Sequence, residues 1–432
     1  MRDIFILLVL LISVPIILRR PFYGVLVWCW ISYMVPHRQA FGFIQTMPVS
    51  AGIGLTLLAG FLFSKEPKKV PMETPVKFLL LFDLWMCITF FVNPESAYAS
   101  QQFEKVMTIQ IFTLVILAML TSVRRIELAL WVVALSIAFY GFKGGIFTLR
   151  TGGGGRVWGP NGGFFAGNNE LAISLLIIFP VLFYLRSQLP ANWIWAKRGL
   201  LLLMGFIVIS VLGSQSRGAL LGTLAVAAFL WLKGPNKMGF LLMFILAAPL
   251  AYNFMPQSWH ERMGTIVVDE TKGEQYDTSV SGRFDAWHMA FNLAKSEVFG
   301  GGYNAFNANN YLKYAPFAPE FQDSHSIYFQ IMAHHGFIGF FLWFMIYFTS
   351  WKSANKVIRL CDGKAEFASQ ALLAKMLQCS LIAYAVGGAF LGLGYFDLPF
   401  HIVISIVALL AVTQKQINNA KEPALVSQEA TS

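Results

Sequence analysis

Four polar segments interrupt an otherwise apolar chain, and each carries a side chain suited to chemistry on an anion or a hydroxyl. The first is Ser214-Gln215-Ser216-Arg217-Gly218, set inside the apolar stretch between residues 199 and 232. An ionisable group in or near a bilayer is costly and marks function by default; the plainer alternative is an interfacial anchor that snorkels. Its small neighbours Ser216, Gly218 and Ala219 leave the Arg217 guanidinium open to a ligand. The second is Ser281-Gly282-Arg283-Phe284-Asp285-Ala286-Trp287. Arg283 starts a helical pattern, where unpaired backbone N–H groups and the dipole favour an anion. Its planar fork suits phosphate oxygens, with an ion pair to Asp285 or another acid as the alternative.

The third segment is Asp323-Ser324-His325-Ser326, where a long polar insert enters a helix expected from about residue 326. Asp323 or Ser324 can cap that helix, which puts His325 on its first turn. An unperturbed imidazole titrates near pH 6.5 (about that of a general base) and can take a proton from a hydroxyl; a helix-start histidine without chemistry is the alternative. His334 and His335 lie about 14–15 Å further along at 1.5 Å per residue and read as structural. The fourth segment is Arg156 behind the glycine run Gly152 to Gly155. Such a run allows close backbone approach, but it follows no strand and lacks the ending of a Walker loop. It reads equally as a flexible loop or a ligand cradle. Asn168, Asn169 and Glu170 open the next helix and serve as candidate caps. No DxD, HExxH or GxSxG motif is present, and Asp269-Glu270 sits in an acidic part of the insert. Asp323 with His325 alone makes a poor metal site, so neither metal nor cofactor is expected.

The elements that position these residues follow from composition. Of 432 residues, 56% are apolar and 12% charged, and mean hydropathy is +0.60. That excludes a soluble globule or a disordered chain and indicates an all-α polytopic membrane protein. Apolar cores fall at 4–18, 22–36, 48–63, 76–92, 105–121, 126–148, 169–187, 199–212, 218–232, 238–255, 326–350, 371–394 and 397–414, giving about 12–13 spans. The first resembles a signal peptide, but Arg19, Arg20 and Pro21 replace the cleavage site, so it is expected to stay as a helix. Asp83 and Lys143 look intramembrane and could pair. The four cysteines lie far apart without ligand spacing, which suggests neither disulfide nor zinc.

Lys and Arg cluster on alternate connections, at 19–20, 65–69, 124–125, 197–198, 233–237 and 352–364, which places those connections inside. Sorting every charge to its nearer face gives 20 basic and 8 acidic inside against 12 basic and 14 acidic outside. The net +10 therefore reports orientation rather than nucleic acid. The expected organisation is N-terminal spans at 1–149, spans with a Gly-rich outward loop at 150–255, and a periplasmic insert at 256–324. C-terminal spans at 325–415 and a disordered tail at 416–432 complete it. Within the insert, Phe284, Trp287, Phe291 and Ala294 recur at helical spacing as the inner face of a lid helix.

SQSRGALLG, SGRFDAWHMAFNLAKSEVFGGGYNAF and DSHSIYFQIMAHHGFIGF, in that order around one long outward loop, resemble the O-antigen ligase and polymerase superfamily, which includes bacterial O-oligosaccharyltransferases. The segment RVWGPNGGFFAGNNELA is most similar to O-glycosylation ligases associated with exosortase systems. The resemblance spans about residues 150–345; residues 1–149 match mainly in hydropathy. It implies a helical fold related to C-type glycosyltransferases. It also implies inverting, metal-independent transfer from an undecaprenyl-diphosphate-linked glycan at the periplasmic face of the bacterial inner membrane. By the same resemblance Arg217 and Arg283 grip the diphosphate, Arg156 matches a less constant arginine with the same role, and His325 serves the acceptor hydroxyl. His334-His335-Gly336 departs from relatives that carry an acidic residue before the glycine, so no role carries over there. The acceptor is a protein, lipid or glycan, and the other partners are membrane lipids. A polysaccharide polymerase is the rival within the superfamily. A lipid-linked glycan transporter or flippase would instead need paired charges or broken helices near the midplane, and a non-catalytic scaffold would need neither.

Overall fold

Inside a bilayer no water satisfies backbone N–H and C=O groups, so a chain this apolar must satisfy them within helices. The computed structural model describes residues 2–93, 96–234, 237–264 and 278–429, and no strand occurs among them. The protein is an all-α polytopic membrane protein. In chain order the helices are α1 (Arg2–Arg19), α2 (Pro21–Met34), α3 (Val49–Phe63), α4 (Thr74–Val92), α5 (Ala97–Met119) and α6 (Val123–Arg150). They continue with α7 (Asn168–Ser187), α8 (Ile194–Gly213), α9 (Arg217–Lys233), α10 (Lys237–Phe254) and α11 (Gln257–Gly264). The last are α12 (Thr278–Ser296), α13 (Ala308–Tyr314), α14 (Ile327–Cys361), α15 (Ala368–Gly388) and α16 (Asp397–Glu429).

Every expected apolar core overlies one of these helices, yet the expected 12–13 spans are not all of spanning length. Among the described residues, eight helices are long and apolar enough to cross a membrane: α4 to α8 and α14 to α16. Of the other apolar helices, α2, α3 and α9 are shorter, at 14, 15 and 17 residues. In α9 the Ser216 hydroxyl accepts from the Ala219 N–H at 3.2 Å and starts the helix, and Gly234 ends it after 17 residues. The core expected to reach residue 394 stops as helix at Gly388, where the Phe390 and Leu391 N–H groups bond back to Gly387 and Gly388. Residues 389–396 thereby become a turn. At the C-terminal side α16 is drawn as one helix from Asp397 to Glu429.

Helix packing in a bilayer rests on close approach rather than on the hydrophobic effect, and α6 shows how the sequence arranges it. Gly141, Gly144 and Gly145 share one face against α8; a Cβ on them would stand 2.7 Å from Ile207, 2.3 Å from the Ser210 hydroxyl and 2.5 Å from the Phe206 carbonyl. In the middle run α16 and α7, with 83% and 72% of their most apolar windows buried, while α8 at 28% and α4 at 33% lie outermost. At the lysine- and arginine-rich end, Arg125 pairs with Glu66 at 2.7 Å. The polar insert and the turns at 35–48, 151–167, 214–216 and 389–396 gather at the other end.

Candidate functional site

The polar break after α8 is a tight turn with Gln215 in the left-handed region at φ 56°. A non-glycine residue there costs roughly 1–2 kcal/mol, and side-chain bonds hold it in place. The Gln215 amide donates to the Gly153 carbonyl at 3.0 Å, and the Asn168 amide donates to the Ser214 carbonyl at 2.8 Å. Arg217 opens α9, and its Nε donates to the Arg262 carbonyl at 3.1 Å. In return the Arg262 Nε donates to the Gln215 carbonyl at 2.9 Å, so α11 and the turn are cross-braced by two arginines. Together with Arg283 from α12, both line one small cavity of about 20 Å³, closed by Asn169, Ser216, Gly218, Phe390 and Leu391. Three guanidinium groups stand in its wall, and clustered positive charge stabilises an anion. Sequence reasoning singled out Arg217 and Arg283 but missed Arg262, one charge among many in a polar insert.

His325 reaches the same neighbourhood from the other side. Helix α14 starts at Ile327 with Ser326 as N-cap, so His325 precedes the helix instead of lying on its first turn as expected. It takes a left-handed conformation at φ 44° and is partly buried. The Asp323 carboxylate accepts from the Ser324 N–H at 2.7 Å rather than capping the helix. Two contacts hold this segment beside the arginine cavity. Trp287, one turn after Arg283, donates through Nε1 to the Ser324 carbonyl at 2.8 Å, and a Cβ on Gly282 would overlap the Gln322 amide. On the other flank the Asp323 carboxylate lies against Gly392, in the turn whose Phe390 and Leu391 line the cavity.

Helix α12 turns inward a face that keeps Ala294 and, in part, Trp287 from the one expected but not Phe284 or Phe291. Ala286, Met289, Ala290, Leu293 and Ala294 are buried, whereas Phe284 and Phe291 are about half exposed, at 50% and 48%. The small residues win because α12 approaches α14 closely, packing with Tyr311, Tyr314 and Ala333 in a separate small core. Glu297, just past α12, accepts from the Tyr314 hydroxyl at 2.7 Å and from Lys313 at 3.1 Å. Those bonds, Tyr314 first, hold its carboxyl below the usual range.

Residues 199–344, which contain Arg217, Arg262, Arg283 and His325, match the O-antigen ligase family. That match supports a place for this domain in the O-antigen ligase and polymerase superfamily. Residues 1–189 match a family of unknown function, DUF5935. No curated protein matches the chain.

Within the O-antigen ligase domain, His334 and His335 are packed into a buried network. His335 bonds Thr89 at 2.6 Å through Nδ1 and the Tyr395 hydroxyl at 2.7 Å through Nε2, and His334 bonds that hydroxyl at 2.8 Å. The helix breaks directly after them, at Gly336 with φ 67°. The freed His335 carbonyl accepts from the Trp85 indole at 2.8 Å. The loop 297–301 fills the break, with the Gly301 N–H donating to the Ala333 carbonyl at 2.8 Å.

Arg156 stands apart from the other predicted arginines. It lines a separate cleft of about 370 Å³, with Arg38, Gln39, Tyr140, Lys143 and Trp158 among its neighbours. Gln215 links it to the turn before Arg217, its side-chain oxygen accepting from Arg156 Nε at 3.4 Å. Lys143 lies in this cleft, and no ion pair joins it to Asp83 among the described residues. Asp269-Glu270 lies outside the described residues.

Proposed function

We propose that this protein is a membrane glycan ligase that moves a glycan from an undecaprenyl-diphosphate donor to an acceptor hydroxyl at the periplasmic face of the bacterial inner membrane. One observation carries the reading: Arg217, Arg262 and Arg283 line a single cavity beside the segment that holds His325. The three arginines bind the donor diphosphate and stabilise the charge it acquires on leaving. The cavity admits one water-sized group, so the diphosphate seats by rotamer changes of long arginine side chains, an ordinary adjustment on binding. His325 takes the proton of the acceptor hydroxyl. The oxygen attacks the anomeric carbon from the face opposite the diphosphate. The bond from that carbon to the phosphate oxygen breaks, configuration inverts, and undecaprenyl diphosphate leaves with the bond's electron pair. The superfamily resemblance supports doing so without a metal ion.

A polymerase would use the same steps with a second lipid-linked repeat as acceptor. The transporter reading loses support, because Asp83 and Lys143 do not meet and the break in α14 is filled by backbone rather than by a charge pair. His325→Ala and Arg283→Ala are expected to abolish transfer from a lipid-diphosphate donor in purified protein while membrane insertion and melting temperature stay unchanged. Normal transfer by either variant sinks the assignment. Product analysis, showing label on a lengthened lipid-linked chain or on a separate acceptor, tells polymerase from ligase.

A further inference from the structure

A second cleft lies outside the ligase-domain cavity, and among the described residues its lining runs from Arg38 to Asn161, within the stretch that matches a family of unknown function. Its volume of about 370 Å³ falls in the range of small-ligand pockets. Among the described residues its lining includes three cations, Arg38, Lys143 and Arg156, and no carboxylate. That grouping runs against the charge balance of the face expected to be outward, where acids outnumber bases.

The cleft is built rather than incidental. A Cβ on Gly162 would stand 2.4 Å from Arg38 Nη1, so the guanidinium lies against a position only glycine leaves open. The Val157 N–H donates to the Gly213 carbonyl at 3.1 Å and the Gly159 N–H to the Ala166 carbonyl at 2.9 Å, which fixes the loop carrying Arg156 and Trp158. Gln39 donates through Nε2 to the Tyr140 hydroxyl at 2.6 Å and to the Met34 carbonyl at 2.7 Å, which orients its amide and keeps the carbonyl oxygen as an acceptor. Trp158 is 61% exposed. An exposed indole offers an apolar face to a sugar ring while its N–H donates. Arginine forks and a lysine bind carboxylate or phosphate oxygens.

We propose that this cleft binds an anionic saccharide, a sugar unit bearing a carboxylate or phosphate. Cations that bind only an anionic lipid headgroup would need neither the exposed indole nor the oriented Gln39 amide. The proposal rests on the glycan-ligase reading only for the origin of the sugar, which belongs to the donor glycan or to the acceptor. Gln215 touches both sites, through Arg156 on one side and Arg262 on the other, so a sugar held here stays within one side chain of the arginine cavity.

The test titrates the purified full-length protein in neutral detergent with tetragalacturonate and with neutral maltotetraose, read by calorimetry. Tetragalacturonate is expected to bind, more weakly as salt rises, and maltotetraose at least about tenfold more weakly, a step of about 1.4 kcal/mol. Lys143→Met and Trp158→Ala should each weaken tetragalacturonate about five- to tenfold, with melting temperature as the check on folding and Arg38→Met as a second cation variant. Arg217→Ala should leave this binding unchanged. Equal affinity for the neutral sugar, no binding of either, cleft variants within twofold of the parent, or displacement by phosphatidylglycerol micelles each overturns the proposal. Binding requires no transfer, so failure of the ligase reading leaves this measurement intact. In transfer assays, a raised KM for an acidic donor glycan or for an acidic acceptor in Lys143→Met assigns the sugar to its source.

Discussion

Trp287→Phe isolates what holds His325. The ring stacks on Phe329 with centroids 5.0 Å apart and planes 9° apart, and phenylalanine keeps that packing. The change removes one donor, the indole N–H that bonds the Ser324 carbonyl at 2.8 Å. Ser324 is fully buried, so its carbonyl is left unsatisfied at a cost of about 1–3 kcal/mol. That is comparable with the roughly 1–2 kcal/mol by which His325 at φ 44° disfavours its own backbone, so the segment relaxes away from the left-handed turn. If most of this cost falls on placing the imidazole, turnover drops about 5- to 150-fold, at 1.36 kcal/mol per decade. Trp287 is a positioning residue, and the split of constants reports it. Lipid-diphosphate donor turnover by purified protein should show kcat reduced with donor KM within about twofold, because all three cavity arginines are untouched. A kcat within twofold of the parent refutes the reasoning that this bond sets the histidine, and a donor KM raised as much as kcat falls refutes the separation of roles.

Two further outcomes follow from the same geometry. Gly336→Ala places a Cβ 2.2 Å from the Val298 carbonyl at a φ of 67°, and strain at such a residue alone costs about 1–3 kcal/mol. Thermal melting in detergent should show a fall of many degrees or loss of folded protein, and a melting point within two degrees of the parent would contradict the break. His37, beside Arg38, has its pKa lowered by burial and then by the Arg38 charge. The unfolded state therefore binds its proton first, and stability present above about pH 6.5 declines as pH falls from there towards the lower folded value. Melting curves between pH 7.5 and pH 5 should show this decline in the parent and a shallower one in His37→Gln; identical slopes would exclude His37 as its source.

The sequence by itself determined the helical membrane architecture, because burying this much apolar surface leaves the backbone no other way to satisfy its hydrogen bonds. Arg217 and Arg283 were legible for a related reason: each is a charge where the surrounding pattern makes a charge expensive. Arg262 carries no such mark, since α11 is polar apart from Trp259 and Met263 and the cross-brace with Arg217 is what sets Arg262 apart. Arg38 was hidden likewise, in a short turn whose partner loop lies more than a hundred residues away in the chain. Helical spacing allowed two inner faces for α12, one of large aromatics and one mostly of alanines. The close approach of α14 chose the second, a choice that depends on the neighbour and not on the helix. Tertiary structure also divided the candidate arginines into two groups. Arg217, Arg262 and Arg283 line one cavity, while Arg156 joins Arg38 and Lys143 in another cleft. Spacing along a chain records which residues share a helix face; which charges face one another depends on how separate helices pack.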